Sequence, residues 1–547
     1  MTLKRSRLKS SLPPTATLRP PPSHRQIRQE GPPGPAPESS PAAASDGGGR
    51  RGDTAERTMT SKRRLQRRVT PLQVLQEPLQ AGVRKVFDLR RFLLVLGLTT
   101  AVLLFPTPEG LSPEGHRGLA LFIFTGSILA LEPAPLPIAA LMVPICQIAL
   151  GIDQAPGAFA PFGQPVVFLI LGSLFLAEAL RKHGLTRRLA LYAIVASKGN
   201  FRLLLLELML ITGALSMWVL NTATAAVLIP VAITIAQRVP RQEEARRVLT
   251  LLILGIAYSS SIGAIATIMG SGENAIAVGL LDEVMDFGFL DWMQFGLPIS
   301  VTLIPLSWAI LLRTLPAPSV RIDTEPAAKE LTRLGSLKGP EREILAILFV
   351  SVVLWVSGSS LESMLHLPRT LLSSAVVAIG AVALLSIDEV IDWNDLKGVN
   401  WGVFFVIGAG LTLGDALDKT GASAWFAAQL APALEGLPYG VILVILVMLG
   451  FSLTQFMNNV TLGAILAPVL ITLAQASGIS PPRLLLPTII SLALAYMLPS
   501  ASARMTLVAV TGAVERKDMI RAGLAVGLPS ALVVIAFFYG LSVVGWI

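Results

Sequence analysis

The 547-residue sequence predicts an all-α, polytopic membrane protein built from two related halves, and three observations carry that prediction. Hydrophobic residues make up 53% of the chain and charged residues only 14%, well below the roughly 25% charged content of soluble domains. Apolar runs such as Phe92–Pro106, Gly296–Leu312, Ile344–Val356 and Gly527–Ile547 recur along the chain. They approach the ~20 residues needed to cross a hydrocarbon layer. Finally, short sequence blocks recur in the same order on the two sides of residue 330.

Taken in order, the chain opens with a basic arm, residues 1–89. Residues 1–91 hold 19 Lys and Arg against 7 Asp and Glu, while the other 456 residues hold 25 against 28. The high overall charge therefore belongs to the arm and implies no nucleic-acid partner for the body. The arm is rich in Pro, Gly, Ser and Arg, a composition that predicts disorder, and it has no apolar core of a secretory signal. Met59, followed by Thr-Ser-Lys-Arg-Arg, is an alternative start. Lys62–Arg68 and Arg90–Arg91 precede the first apolar run, which predicts a cytoplasmic N-terminus in a multi-pass cell (inner) membrane protein. A basic stretch in that position also suits anionic lipid. Two longer hydrophilic stretches, Arg238–Arg247 and Ala317–Glu343, are expected on the same side. The second divides the body into 90–316 and 344–547, with 317–343 as a linker and roughly 11 spans in all.

The repeat is legible at four places. Ala179-Leu180-Arg181-Lys182-His183-Gly184 matches Ala416-Leu417-Asp418-Lys419-Thr420-Gly421 at an offset of 237. Asn221 matches Asn459 and Ala257-Tyr258 matches Ala495-Tyr496, both at 238. Asp291…Gly296-Leu297 matches Asp518…Gly523-Leu524 at 227. Each asparagine is followed nine residues later by a proline, Pro230 or Pro468. Internal repeats with broken helices near the bilayer midplane are a frequent design of secondary transporters.

Four polar interruptions stand in these apolar runs, two per half. Ser216–Thr224 and Thr454–Thr461 each bring amides and hydroxyls to membrane depth, where a broken backbone must find partners in protein, ion or water. Neutral oxygens of this kind suit Na⁺, and helix N-termini at a break favour an anion. The alternative role for such residues is to tie helices together. The later pair, Met269–Asn274 and Leu498–Met505, combine Gly or Pro with one charge each, Glu273 and Arg504, and charges inside a membrane are functional candidates. Glu178, Asp415 and Asp418 are read as water-facing, and His183 as interfacial. The one cysteine, Cys146, excludes an internal disulfide, and the four dispersed histidines form no metal cluster. No phosphate-cradling loop supports an ATP-driven pump, and no nucleophile pattern supports an enzyme.

At these residues, over about 90–547, the chain resembles the divalent anion:sodium symporter family. The resemblance rests on Leu220-Asn221-Thr222, Asn458-Asn459-Val460, and the segments GIAYSSSIGAIATIMG and AYMLPSASARM. It implies inverted repeats with re-entrant hairpins, a homodimer, and an elevator-like motion of a transport domain against a scaffold. It also implies Na⁺ as coupling ion with no other cofactor, held near Ser216, Asn221 and Gly270 and near Thr454, Asn459 and Ala501. The substrate would touch Asn221, Thr222, Asn458, Asn459, Ser502 and Arg504. The sequence departs from the family pattern at Leu220, Asn458 and Val460, and Ser-Gly-Glu-Asn and Ser-Ala-Arg-Met replace both Thr-Pro-Pro-Asn loops.

The expectation is a Na⁺-coupled carrier of a small divalent anion, a dicarboxylate ahead of sulfate. A Na⁺-independent exchanger in which Arg504 replaces a cation is one alternative. A cation/proton antiporter using Glu273 is another.

Overall fold

A computed structural model describes residues 87–546. The expectations for the arm, including its disorder, the Met59 start and the basic cluster Lys62–Arg68, lie outside the described residues. Within them the chain is helical throughout, with one isolated bridge between Asn200 and Arg321 and no named strand.

The first half runs α1 (Leu89–Leu104), α2 (Pro113–Leu131), α3 (Leu136–Ala149), α4 (Ala155–Phe159), α5 (Pro165–Lys182), α6 (Leu185–Ala196), α7 (Phe201–Ser216), α8 (Asn221–Ala236), α9 (Gln242–Ile265), α10 (Gly272–Val284) and α11 (Phe289–Thr314). The linker contains α12 (Glu325–Leu334). The second half runs α13 (Gly339–Leu365), α14 (Ser374–Ile387), α15 (Trp393–Leu396), α16 (Trp401–Thr420), α17 (Ala422–Leu434), α18 (Tyr439–Leu453), α19 (Asn459–Ala476), α20 (Pro481–Leu492), α21 (Ala503–Val510) and α22 (Arg516–Val544).

Six helices are long and apolar enough to cross a membrane, or seven if Ala155–Gly163 and Pro165–Lys182, bent by 47°, form one span. Four more apolar helices, α3, α8, α14 and α18, fall in the 10–17 residue class. Against the roughly 11 spans expected from hydropathy, the difference lies in these short pieces. Apolar runs that read as whole spans are interrupted by polar or Gly/Pro residues, and each fragment then needs partners for its open backbone ends. The four apolar runs named from sequence coincide with α1, α11, α13 and α22. Burial separates their roles: the membrane window of α9 is 89% buried and that of α13 only 22%. The α9 helix is therefore the interior post of the fold, and α13 presents leucine, valine and phenylalanine outward.

The repeat appears as recurring elements. Helices α5 and α6 are joined through Gly184 at φ 70°, and α16 and α17 through Gly421 at φ 71°. Both turns need the left-handed backbone that glycine adopts without steric cost, which is why a glycine ends each matched block. Asn221 and Asn459 are each the first residue of a helix, α8 and α19. Pro230 and Pro468 lie inside those helices, and the hydroxyls of Thr234 and Thr472 donate to their carbonyls at 2.9 and 3.0 Å. Asp291 and Asp518 each sit in the first turn of α11 and α22. One match needs correcting. Tyr258 lies inside α9, whereas Tyr496 lies beyond the end of α20, so the two are not equivalent positions. They are neighbours instead, with ring centroids 4.6 Å apart.

The halves interlock crosswise. Helix α3 of the first packs against α16 of the second, and α14 of the second packs against α5 of the first. At the linker, Arg188 of α6 grips Glu341 at the start of α13 through Nε at 3.2 Å and Nη2 at 3.1 and 3.0 Å. Its Nη1 donates to the Gly335 carbonyl at 2.7 Å. Only 3% and 7% of these two side chains are exposed. A surface pair, Lys419 with Asp153 at 2.6 Å, ties the end of α16 to the loop before α4. The Lys419 ammonium holds the Asp153 carboxyl below the usual carboxylate range, so this pair persists as pH falls until that lowered value is reached.

Removing one partner of a buried ion pair strands the other charge, at a cost of about 3–5 kcal/mol. Arg188→Ala should therefore lower the melting temperature of the purified protein markedly in detergent. The double change Arg188→Met/Glu341→Leu should recover most of the loss in the same thermal assay.

Candidate functional site

A cavity of about 890 Å³ lies between the two asparagine-bearing breaks. Three helix N-termini reach its wall: α8 through Leu220 and Thr222, α19 through Met457 and Asn458, and α21 through Ser502 and Ala503. The first N–H groups of a helix have no partner within it and carry the positive end of its dipole. Leu220, the N-cap of α8, offers no capping side chain. Asn458 caps α19 by accepting from the Val460 N–H at 2.9 Å, and Ser502 caps α21 by accepting from the Met505 N–H at 3.4 Å. Three helices thus turn the positive ends of their dipoles toward one cavity. Leucine, valine and alanine side chains fill much of the remaining wall, giving apolar surface between polar ends.

Of the residues expected on the substrate, Thr222, Asn458 and Ser502 line this cavity. Asn221, Asn459 and Arg504 are buried and are not part of its wall. Thr222 connects the two groups, since its hydroxyl donates to the Asn221 side-chain oxygen at 3.1 Å.

Behind the first break, the Ser216 hydroxyl donates to the Ser260 carbonyl at 2.5 Å, and the Thr267 hydroxyl donates to the Met217 carbonyl. Asn274 gathers the loop after α9 by donating to the carbonyls of Ala264 and Thr267, both at 2.9 Å. Gly270 lies in the 3-10 turn Ile268–Gly270 of that loop. A side chain there would meet the Ala264 backbone at 2.5 Å. The ring of Trp218 packs against Phe289 and Trp355, with centroids at 6.5 and 5.9 Å, and those two rings meet each other at 5.4 Å, so this break is anchored to α11 and α13. Ser216 and Asn221 carry neutral side-chain oxygens, and the loop that carries Gly270 adds backbone carbonyls.

Behind the second break the arrangement differs. The Thr454 hydroxyl lies 2.9 Å from the Asn459 side-chain oxygen and 2.7 Å from the Leu492 carbonyl. Gln455 staples the strand of chain after α20, donating to the Leu494 carbonyl at 3.0 Å and accepting from the N–H groups of Tyr496 and Met497 at 3.2 and 3.1 Å. Arg504 donates from Nη2 to the carbonyls of Ala493 and Ala495, both at 3.3 Å. The Asn459 amide donates to Glu273 of the first half at 3.2 Å. Glu273 fits there because Gly463 has no side chain: an added Cβ would meet the Glu273 Cβ at 2.8 Å. Ala501 ends the 3-10 turn Pro499–Ala501. Phe456, at the position matching Trp218, is 70% exposed and lines the cavity.

Both intramembrane charges are buried: Glu273 is 0% exposed and Arg504 1%. They make no direct ion pair, yet lie within electrostatic reach of each other. Each is the second residue of the helix that follows a three-residue 3-10 turn. Sequence reading missed Glu178 and Arg181. They pair with each other and both line the cavity, and Glu178 is buried rather than water-facing. Their three-residue spacing on one helix face was the available signal. Asp418 is exposed and Asp415 half-buried, while the His183 ring lies 2.8 Å from the Val390 carbonyl.

A cavity walled by helix N-termini at breaks in apolar helices is an arrangement found in membrane transporters. A family model described as the sodium:sulfate symporter transmembrane region matches residues 88–546, and the chain belongs to that family of transporters. An uncharacterized transporter of Haemophilus influenzae is 31% identical over 434 residues, covering 78% of this chain and 92% of that one. An uncharacterized transporter of Methanocaldococcus jannaschii is 30% identical over 443 residues, covering 80% and 96%. The sodium-dependent dicarboxylate transporter SdcS of Staphylococcus saprophyticus is 27% identical over 474 residues, covering 82% and 90%.

The two layers of the site should respond differently to substitution. Thr222→Val keeps shape but removes the cavity-wall hydroxyl that holds the Asn221 side chain, and should raise the half-saturating anion concentration about tenfold, the worth of one such hydrogen bond. Its melting temperature should fall less than that of Asn459→Ala. Asn459→Ala removes the donor to a buried carboxylate and should cost about 1–3 kcal/mol of stability, read as a lower melting temperature together with lost uptake.

Proposed function

We propose that this protein is a secondary active transporter that carries a small divalent anion across the cell membrane with Na⁺, a dicarboxylate being favoured over sulfate. The observation that carries the reading is the meeting of three helix N-termini on one cavity backed by two asparagine breaks. The volume of about 890 Å³ is generous for sulfate and gives room for a carbon chain. Its alternation of polar ends and apolar wall suits two carboxylates joined by methylenes. The name of the staphylococcal relative, a sodium-dependent dicarboxylate transporter, supports the same substrate class. A co-transported cation would offset the charge of the anion while the loaded site crosses the low-dielectric layer. Ser216 and Asn221, with the turn at Gly270, are the residues we assign to it. Asn221 links ion and substrate, because Thr222 on the cavity wall bonds directly to its side chain. A homodimer and an elevator-like motion complete this reading. The outward apolar face of α13 suits a static, lipid-facing element beside a moving one. Arg90 and Arg91 at the start of the first span support a cytoplasmic N-terminus in this reading.

One observation favours a second reading, Na⁺-independent anion exchange: a permanent cation, Arg504, already sits among the loop carbonyls of the second half.

Proteoliposomes containing the purified protein should accumulate radiolabelled succinate when an inward Na⁺ gradient is imposed, and unlabelled sulfate should compete weakly. Equal uptake with choline in place of Na⁺, together with stimulation by internal succinate, would establish exchange and remove the symport reading.

A further inference from the structure

Five successive carbonyls, from the last residue of α20 onward, are each held by a side-chain donor. Leu492 takes Thr454, Ala493 takes Ser261 and Arg504, and Leu494 takes Gln455. Ala495 takes Arg504 and Tyr496 takes Tyr258. Carbonyls clustered on unwound backbone are a cradle for a cation. In the first half the loop at the matching place is tied by Asn274, a neutral amide, through Ala264 and Thr267. Only in the second half is the tie a charged group.

A lone guanidinium in such a place carries a large desolvation cost unless an opposite charge compensates it. Glu273 is that charge. It stands at the equivalent position of the other half, is equally buried, and reaches the second break through Asn459. One oxygen of Glu273 and the Nε of Arg504 have no hydrogen-bond partner, so each charge is only partly satisfied by its bonds to Asn459 and to the loop carbonyls.

We propose that Arg504 is a tethered cation: its guanidinium takes the place in the second half that a mobile monovalent cation would otherwise take, with Glu273 as fixed counter-charge. The break at Ser216 and Asn221 is then the one place left for an exchangeable cation. This rests on the reading that a cation accompanies the anion, and it narrows the number of ions moved. Arg504 acts as a residue that sets cation specificity and count, without touching the substrate.

The test is the response of the purified protein and of uptake to Na⁺ titrated against choline at constant ionic strength. Replacing the guanidinium by a neutral group in Arg504→Gln opens the cradle. The steepness of the Na⁺ response should rise by about one ion per anion, and Na⁺ should raise the melting temperature of the variant more than that of wild type. Arg504→Lys keeps the charge and should keep the wild-type steepness. Identical Na⁺ responses in wild type and Arg504→Gln, by both uptake and melting, would overturn the proposal. If Arg504→Gln cannot be purified, Arg504→Lys decides: unchanged steepness supports a tethered cation, and an added Na⁺ despite the retained charge overturns it. The two readings fail separately. Wild-type uptake indifferent to Na⁺ ends the symport reading, whereas Arg504→Gln must still gain a Na⁺ response that wild type lacks.

Discussion

Inside a bilayer a carbonyl that leaves a helix has no water to turn to, and the architecture of this protein follows from meeting that demand at four interruptions. The chain after α20 takes donors from Thr454, Gln455, Arg504, Ser261 and Tyr258. Two of those donors come from the first half and three from the second. The loop after α9 draws on Asn274, and Trp292 donates to the Ile265 carbonyl. Broken backbone is thus what binds the halves together at the centre, and the cavity is the space those satisfied loops enclose.

The same constraint explains the division of labour among the polar residues. Side chains that satisfy the backbone must point inward, so Asn459 and Arg504 are occupied by protein atoms. Side chains one or two positions away, such as Asn458 and Ser502, face the cavity. Successive residues at a helix start alternate between holding the fold and presenting to the ligand. A short motif can serve both purposes because the first turn of a helix fans its side chains around the axis.

Much of this was legible in the chain. Asn221, Asn459, Pro230, Pro468, Gly184 and Gly421 mark breaks, kinks and turns whose backbone requirements admit few residue types, so the repeat and its polar centres could be read directly. Tyr258 and Tyr496 misled because their similarity is contact rather than equivalence: two tyrosines that pack on each other resemble two copies of one position. Glu178 was also missed. A charged residue on a long apolar helix reads as solvated unless its partner and the facing helices are known, and the facing wall comes from residues near 400, 456 and 506. The direction in which Arg504 turns was equally hidden, since both the cavity and the carbonyl cradle lie within reach of its side chain.

The crosswise packing of α3 on α16 and of α14 on α5 has a bearing on how the chain matures. Helix α3 is made about 250 residues before its partner exists, and α5 about 190 residues before α14. During synthesis, the first half must dwell in the bilayer with its interlocking faces toward lipid or toward an insertion chaperone. The contacts that join the halves can therefore form only after the later helices have been made.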